Sequence, residues 1–349
     1  MKSYYFPFLA MAALLSSCGM NQSVAIDTIR PADIDLPNHL SSVVLVDRTE
    51  FDKQFWNVSE ALATGELPEA DKAAVQQSLV RLREILNTSP RFQNIKISPY
   101  RLKGNSFTAA FPQAMPWSMI NNLCKRHNVD AVLAIEIFDT DFLVTESIKN
   151  VKKTVKTDST EREITVPKYY AEAVGDIKMG IRLYDPKSEQ ILDQQIITDQ
   201  RRWNGNADSK AEAVAKLISA SRAQQVLSAE IGKDYAYKIA PLPVTISRNY
   251  YGKAKKSRHV KAGARYAKVG DWEMAIQRWK QGLEVAPDKE CGKLCYNLAL
   301  AYEVQGNLAE ALKWAQRGYT TYDNKPARQY SQTLMSRQRT EEVLDYQFQ

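Results

Sequence analysis

The stretch VDAVLAIEIF, from Val129 to Phe138, decides the fold of this chain. Its nearly unbroken apolar run is typical of a strand in a sheet. The run Val43–Val46, within SSVVLVDRTE, has the same character and predicts an earlier strand that is covered on both faces. Between the two lies RFQNIKIS, residues 91–98, which predicts another. The sequence therefore predicts three strands that are separated along the chain.

Helices are predicted between these strands. The segment Lys72–Leu86 carries apolar residues at spacings of three and four, which place them on one helical face. The segment PWSMINNLCKRHN, residues 116–128, opens with a proline, which a helix tolerates in its first turn. Strands and helices thus alternate up to Asp139, as expected of an α/β domain.

Beyond Asp139 the pattern changes to strands alone. Residues Ile177–Leu183 alternate apolar with polar or small side chains, YDPKSEQ predicts a turn, and residues 191–203 predict an antiparallel return strand. The Lys- and Thr-rich segment Ile148–Lys168 is compatible with an extended hairpin or with a mobile loop. A helix over Ser209–Ile231 follows. Residues 40–245 are predicted to form one α/β domain with a mixed sheet packed on helices.

Two resemblances rest on these residues. VVLVDRT, VDAVLAIEIF and the order of elements resemble the amino-terminal domain of TolB and the periplasmic domain of curli-type secretion lipoproteins. APLPVTISRNYYG, Ala240–Gly252, is similar to an uncharacterised lipoprotein family of Bacteroidetes whose carboxyl-terminal part carries tetratricopeptide-like repeats. That family implies the fold and no established activity.

A repeat of 36 residues occupies the carboxyl-terminal part of the chain. Residues that match between the two units imply helical hairpins, in which a glycine forms the turn and an alanine lets the two helices approach closely. This pattern resembles the tetratricopeptide repeat. Residues 256–349 are predicted to hold two such repeats, with a helix from Ala327 to about Tyr346 as a cap. The matched pairs are Tyr266 with Tyr302, Gly270 with Gly306, Ala275 with Ala311, and Gly282 with Gly318.

The amino terminus predicts export and a lipid anchor. Lys2 and the apolar run Phe6–Leu15 describe a secretory signal over residues 1–17, because ten or so apolar residues are too few to span a bilayer of about 30 Å. The motif LSSC resembles the lipobox of bacterial lipoproteins, which implies acylation of Cys18. Residues 18–39 are predicted to be a tether. Gly19 after the cysteine implies, by that resemblance, the outer membrane, and the lack of an acidic cluster after it favours the periplasmic face.

Charge is unevenly distributed. The formal net charge is +7, yet Arg248–Lys268 alone holds eight Lys or Arg and no Asp or Glu. The remainder is near neutral, which argues against a nucleic acid partner with a distributed basic footprint. Residues 246–255 are predicted to be a basic linker.

The sequence contains no recognisable catalytic or metal-binding constellation, and we expect no enzymatic activity and no cofactor. An alternative is an enzyme that uses Glu136 and Asp139 at the end of the third strand. Cys291 and Cys295 are compatible with a local disulfide or with buried thiols.

These observations predict a non-enzymatic envelope lipoprotein that recruits a protein partner through its repeats. In the tetratricopeptide register, the concave surface presents Lys268, Lys293, Tyr296, Leu300 and Glu303. The opposing interpretation is that Tyr296 packs against the α/β domain. A further alternative is a secretion or transport component in which Thr145–Val174 forms a membrane hairpin after oligomerisation.

Overall fold

The computed structural model describes residues 20–51, 68–105, 110–157 and 160–348. The predicted signal segment and Cys18 lie outside these described residues. The chain forms two compact units. The sheet unit comprises Ile29–Pro243 and Leu344–Gln349, and the helical unit comprises the residues up to Thr28 together with Val244–Val343.

The sheet unit contains alternating strands and helices followed by a strand-rich segment, as predicted. The described chain begins with a strand, β1, that pairs with the last strand, β9. Most of β1 and β9 belongs to the helical unit. In chain order the elements up to β9 are β1 (Met20–Arg30), β2 (Ser42–Asp47), β3 (Glu50–Phe51), α1 (Pro68–Leu86), β4 (Asn94–Ile97), β5 (Lys103–Asn105), α2 (Trp117–His127), β6 (Ala131–Thr157), β7 (Thr160–Asp185), β8 (Gln190–Ala207), α3 (Lys210–Ala215), α4 (Ala220–Ile239) and β9 (Leu242–Tyr251).

The main sheet has five strands in the order β4-β2-β6-β7-β8. Strands β4, β2 and β6 are parallel, and β7 and β8 continue the sheet in antiparallel pairs. Helices α1 and α4 cover one face, and α2 covers the other face beside β2 and the start of β6. Burial on both faces explains the continuous apolar runs of β2 and β6.

A β-bulge interrupts the pairing of β6 with β7 between Ile135 and Ile137. Glu136 lies on the face that carries Arg182 and Tyr184, and the bulge shifts the alternation of β6 after it, so that Phe138 joins the core face beside Met179. Ile137 then pairs with Gly180, where a β-carbon would lie 2.7 Å from two carbon atoms of Ile137. A glycine at this position therefore makes room for the bulged strand.

Three predicted boundaries differ from the structure. The predicted tether contains strand β1, and the predicted basic linker begins inside β9. Both segments are ordered because Ile26 of β1 and Tyr251 of β9 are buried in the core of the helical unit. The predicted helix Ser209–Ile231 is two helices, and the Ser219 hydroxyl caps the second by accepting a hydrogen bond from the backbone N–H of Arg222.

The helical unit contains two helical hairpins and a long final helix. Gly270 and Gly306 sit in the turns with φ values of 80° and 78°, a conformation that favours glycine. Asp271 and Asn307 cap the helices that follow by accepting hydrogen bonds from backbone N–H groups. The elements are α5 (Arg258–Lys268), α6 (Trp272–Leu283), α7 (Asp288–Val304), α8 (Leu308–Thr320) and α9 (Lys325–Phe348). Among the described helices, none has the length and apolarity needed to cross a bilayer.

Candidate functional site

The predicted binding groove of the helical unit is filled by the protein itself. The ring of Tyr296 on α7 lies 5.4 Å from that of Tyr251 on β9 and 5.0 Å from that of Tyr330 on α9, centroid to centroid. Tyr296 is 8% exposed and Leu300 is fully buried. Burial raises the pKa of Tyr296 to about 12. The prediction that these two side chains contact a partner is therefore wrong for this conformation.

Asn297 fixes the end of strand β9 against α7. Its Oδ1 atom accepts a hydrogen bond from the backbone N–H of Tyr251 at 2.9 Å, and its Nδ2 atom donates to the backbone oxygen of Tyr251 at 2.8 Å. Asn297 has no exposed surface. The amide thus satisfies both backbone groups of Tyr251, the last residue of β9.

Glu303, predicted to face a partner, is the centre of a buried ion network. Its carboxylate accepts from Arg248 at 3.1 and 3.3 Å, from Arg337 at 2.9 Å, and from the Tyr330 hydroxyl. The Glu303 side chain is fully buried. Burial and the neighbouring Glu303 carboxylate raise the pKa of Tyr330 far above its ordinary range. All of this carboxylate's hydrogen-bonding capacity is used inside the helical unit.

The two predicted groove cations behave differently. The Lys293 ammonium lies 3.3 Å from Oε1 of Glu290 and 5.7 Å above the ring of Tyr251, so it is also part of the packed interior. Lys268 is exposed on α5 and forms no ion pair with a described residue. Of the five predicted partner-binding residues, only Lys268 remains available at the surface.

In the structure Cys291 and Cys295 are buried, free thiols, the arrangement of the buried-thiol alternative. Both lie on α7 one turn apart, where β-carbons are about 5–6 Å apart, whereas a disulfide needs about 3.8 Å. The Cys291 thiol donates to the backbone oxygen of Ala286 at 3.2 Å. Burial raises the pKa of Cys295 to about 12.

Glu136, which the enzyme alternative uses, also has both carboxylate oxygens hydrogen-bonded within the sheet unit. Its Oε1 atom accepts from Arg48 at 3.0 Å and from the Tyr184 hydroxyl at 2.6 Å, and its Oε2 atom accepts from Arg182 at 2.7 Å. The side chain has no exposed surface. Burial and the hydrogen bond to Glu136 raise the pKa of Tyr184. In the structure the oxygens of this carboxylate are thus occupied by hydrogen bonds within the sheet unit.

Asp139, the second residue of that alternative, is exposed. It lines a shallow depression of about 580 Å³ on the open face of the sheet, together with Asp141 and Asp176. Within the described part of the chain, no group of three or more His, Cys, Asp or Glu side chains is arranged to hold a metal ion.

A second cavity, of about 440 Å³, lies at the amino-terminal ends of the parallel strands. Asp130 lines it, and its carboxylate accepts hydrogen bonds from the hydroxyls of Ser41 and Ser42 at 3.1 and 2.7 Å. Burial opposes ionisation of Asp130, but these bonds outweigh it and lower the pKa of that carboxyl. Cys124 also lines the cavity, where burial raises the pKa of its thiol to about 11. The cavity therefore holds neither an available base nor an activated nucleophile.

The exposed surface of the helical unit carries a run of unpaired cations, which we call the basic stripe. On α5 they recur at spacings of three and four, opposite the buried Val260, Ala264 and Ala267. They form no ion pair with any residue in the described ranges. The basic stripe consists of Lys253, Lys255, Lys256, Arg258, Lys261, Arg265 and Lys268.

The sheet unit carries a second exposed element, which we call the arm. Lys149–Thr157 of β6 pairs with Thr160–Lys168 of β7, whereas β8 follows β7 only as far as Tyr169. Nine residue pairs, about 30 Å at 3.3 Å per residue, therefore extend beyond the third strand. The segment Ile148–Lys168, for which the sequence was compatible with a hairpin or a mobile loop, thus forms a hairpin.

Sequence reasoning missed the Asn297 contact and the three-residue network around Glu303. A signal was present, because CYNLALAYEV is an apolar helix that contains one amide and one carboxylate. A lone polar residue in such a helix indicates a buried partner. The identity of the partners, Tyr251, Arg248 and Arg337, could not be read from α7.

The class defined by this fold is a mixed α/β sheet unit followed by an α-helical unit. A family model described as a domain of unknown function, DUF8603, matches residues 40–251, and the chain belongs to this family. A second model, the domain of unknown function DUF6340, matches residues 261–347. A comparison with curated proteins gives no match.

Solved structures show weak likenesses. The PelC dodecamer from Paraburkholderia phytofirmans has 12% identity and a TM-score of 0.24, with 62% of this chain and 99% of that chain covered. A protein described as a neuraminyllactose-binding hemagglutinin homolog from Helicobacter pylori has 15% identity and a TM-score of 0.26, with 59% and 91% covered. TM-scores this low give no information on fold or function.

Proposed function

We propose that this chain is a non-enzymatic scaffold of the bacterial cell envelope, held at the membrane by a lipid on Cys18 and by the basic stripe. The LSSC motif supports the lipid. The single structural observation that supports attachment to the membrane is the basic stripe. Its seven exposed cations have no counter-charge on the described surface. Cations near an anionic membrane contribute about 1 kcal/mol each.

The position of β1 adds to this proposal. Met20, the first residue of β1, packs against the apolar core of the helical unit. Only Gly19 lies between it and Cys18, so the two residues are at most about 7 Å apart in an extended chain. A lipid on Cys18 would therefore hold the helical unit directly at the bilayer surface, without a long tether. Lipid chains combined with a basic patch give firmer attachment than either alone.

The finer parts of the proposal rest on sequence. The spacing of 36 residues between Gly270 and Gly306 supports tetratricopeptide-like hairpins, and the order of strands supports a likeness to the TolB and curli-secretion domains. Gly19 supports an outer-membrane location, and the lack of an acidic cluster after it supports the periplasmic face. Because β9 fills the groove, we propose that a protein partner binds elsewhere on the surface. We expect no nucleic acid partner, since the unpaired cations of the basic stripe lie on one helix and the preceding loop and do not form a distributed basic surface.

Flotation with liposomes tests the basic stripe. The chain with Cys18→Ser, which lacks the lipid, should float with phosphatidylglycerol vesicles in low salt and remain behind with phosphatidylcholine vesicles. Lys261→Glu with Arg265→Glu should weaken binding at least about tenfold. The matched control, Lys289→Glu with Lys313→Glu, changes the net charge equally on exposed sites of α7 and α8. Equal loss in both double variants, or no binding by the parent, would refute a specific role for the stripe.

Cellular fractionation tests the lipid anchor separately. Cys18→Ser should abolish acylation and leave the protein unprocessed or released from membranes in high salt. A serine variant that is processed and still resists extraction by high salt would exclude a lipid at this position. Protease added to intact cells should leave the protein uncut if it faces the periplasm.

A second candidate, a component of an envelope secretion or transport assembly, is favoured by the arm. The arm contributes nothing to the cores of the sheet unit, and the aliphatic residues in and beside it, Ile148, Val155 and Ile164, are 62%, 39% and 43% exposed. Lysines interrupt the apolar positions, so insertion into lipid would require further assembly. Deleting residues 149–168 should abolish secretion or transport while leaving membrane attachment intact. Unchanged export in that deletion would remove this candidate.

A further inference from the structure

The sheet unit contains two pairs of like charges directly opposite each other. Asp141 on β6 is opposite Asp176 on β7, and Lys149 is opposite Lys168. Because side chains alternate between the two faces of a strand, residues an even number apart share a face, so both pairs point to the same side. Like charges at directly opposite positions destabilise an antiparallel pair. Neither pair is stabilised electrostatically by the residue opposite it on the neighbouring strand.

Counter-charges within the molecule are few. Asp141 forms no ion pair with any described residue, and Asp176 accepts only a neutral hydrogen bond, from Gln200 at 2.6 Å. Lys168 lies 3.0 Å from Asp208, and Lys149 lies 5.3 Å above the ring of Tyr170. Lys178, opposite Asp139, is beside the acidic pair but forms no ion pair with it, and the basic pair has one carboxylate for two ammonium groups.

The face between the two pairs is open and partly apolar. Leu143 is 63% exposed and lies opposite Val174, while Ser147 lies opposite Tyr170. The helices of the sheet unit pack on the other side of these strands, where Ala171 and Ala173 are buried. At one end the face holds the depression lined by Asp139, Asp141 and Asp176.

The charges are arranged symmetrically about one cross-strand pair, Thr145 with Glu172. Asp141 and Lys149 each lie four positions from Thr145, and Asp176 and Lys168 each lie four positions from Glu172. A two-fold axis that lies above this pair, parallel to the sheet and perpendicular to the strands, would place the acidic pair of one copy over the basic pair of a second copy, and the reverse. Leu143 would then face Ser147, Val174 would face Tyr170, and Glu172 would face its counterpart in the second copy. Arg202, opposite Val174, supplies a cation beside Glu172 near the axis.

We propose that this open face of β6 and β7 binds a second copy of the chain in a two-fold, face-to-face dimer held by two Asp-pair to Lys-pair contacts. The occupant follows from charge complementarity, because the surface carries both signs at matched distances from one centre. From Asp139 to Val151 the face measures roughly 40 Å by 14 Å over three strands. That is below the roughly 800 Å² per partner of a standard interface, so the dimer is weak and sensitive to salt.

A charge-swap experiment tests the dimer. Sedimentation of the full chain in mild detergent should show dimers at tens of micromolar in low salt and monomers at about 0.5 M salt. Asp141→Lys with Asp176→Lys, and separately Lys149→Asp with Lys168→Asp, should each be monomeric. A one-to-one mixture of these two variants should restore the dimer, because every contact again joins opposite charges. A parent that stays monomeric in low salt, or a mixture that does not associate, would overturn the proposal.

Two further measurements keep the test decisive. Lys152→Asp with Lys156→Asp makes the same change in net charge on the other face of the arm, and this control should still form the dimer. Thr145→Cys, next to the axis, should form a disulfide-linked dimer on mild oxidation, whereas Asn150→Cys on the other face should not. Equal crosslinking at both positions would contradict the face-to-face arrangement even if the charge variants fold poorly.

Discussion

The side chain of Asn297 forms two hydrogen bonds with the backbone of Tyr251, 46 residues earlier in the chain. This contact places the end of β9 in the groove where a partner was predicted to bind. Beside it, the ring of Tyr296 contacts the ring of Tyr251 on one side and that of Tyr330 on another, and the Glu303 network lies in the same interior. The helical unit is therefore completed by a strand of the same chain.

Replacing Asn297 by Ala should lower the free energy of unfolding of the helical unit by roughly 2–4 kcal/mol. The substitution leaves a buried N–H and a buried carbonyl of Tyr251 without partners, and each costs about 1–3 kcal/mol. Urea denaturation followed by tryptophan fluorescence measures the change. Asn249→Ala, at an exposed position of β9, is the matched control and should shift the midpoint little. Similar midpoints for both variants would show that the two hydrogen bonds contribute no stability.

Glu303→Gln should destabilise the helical unit by about 2–3 kcal/mol, because it removes the buried negative charge that the partly buried Arg248 and Arg337 share. Glu284→Gln, at an exposed site, should have almost no effect. Replacing the three charged residues of the network by apolar ones, as Arg248→Met, Glu303→Leu and Arg337→Met, should recover most of the loss, since no charge then remains buried. Thermal or urea melts compare the variants. A triple variant as unstable as Glu303→Gln would contradict this electrostatic explanation.

The stability of the helical unit should fall in alkali. The pKa of Tyr296 is raised to about 12, whereas an unfolded tyrosine ionises near 10. Between these values the unfolded chain binds fewer protons than the folded one, so the free energy of unfolding decreases as the pH rises. Two pKa units correspond to roughly 2–3 kcal/mol. Tyr296→Phe should have a shallower slope in urea melts from pH 10 to 12, and Tyr100→Phe, at an exposed site, should not. Equal slopes for Tyr296→Phe and the parent would contradict the raised pKa.

The thiols of Cys291 and Cys295 should be slow to react in the native protein. Burial raises the pKa of both groups, that of Cys295 to about 12, and the thiolate is the reactive form. At about pH 8, alkylation of the peptide that contains them should be at least roughly a hundredfold slower than in denaturant. Mass spectrometry without reduction should find that peptide unlinked. A mass two units lower, reporting a bond between the two sulfurs, would contradict the helical geometry.

The sequence by itself determined the elements whose signal is local. The apolar runs of β2 and β6 required a sheet covered on both faces, and the glycines at 270 and 306 required two turns 36 residues apart. The alternation around Met179 required a strand with one buried face. Each of these follows from side chains within about ten residues, because backbone geometry fixes the spacing at which neighbours share a face.

Only the tertiary structure decided what covers each face. The register of α7 correctly grouped Tyr296, Leu300 and Glu303, but a periodic pattern names a shared face and not its occupant. Tyr251, Arg248 and Arg337 reach that face from outside α7, and the free energy of burying them depends on contacts that no local spacing reports. The bulge at Glu136 and the pairing of Asp141 with Asp176 depend likewise on strand register, which is set by the sheet as a whole.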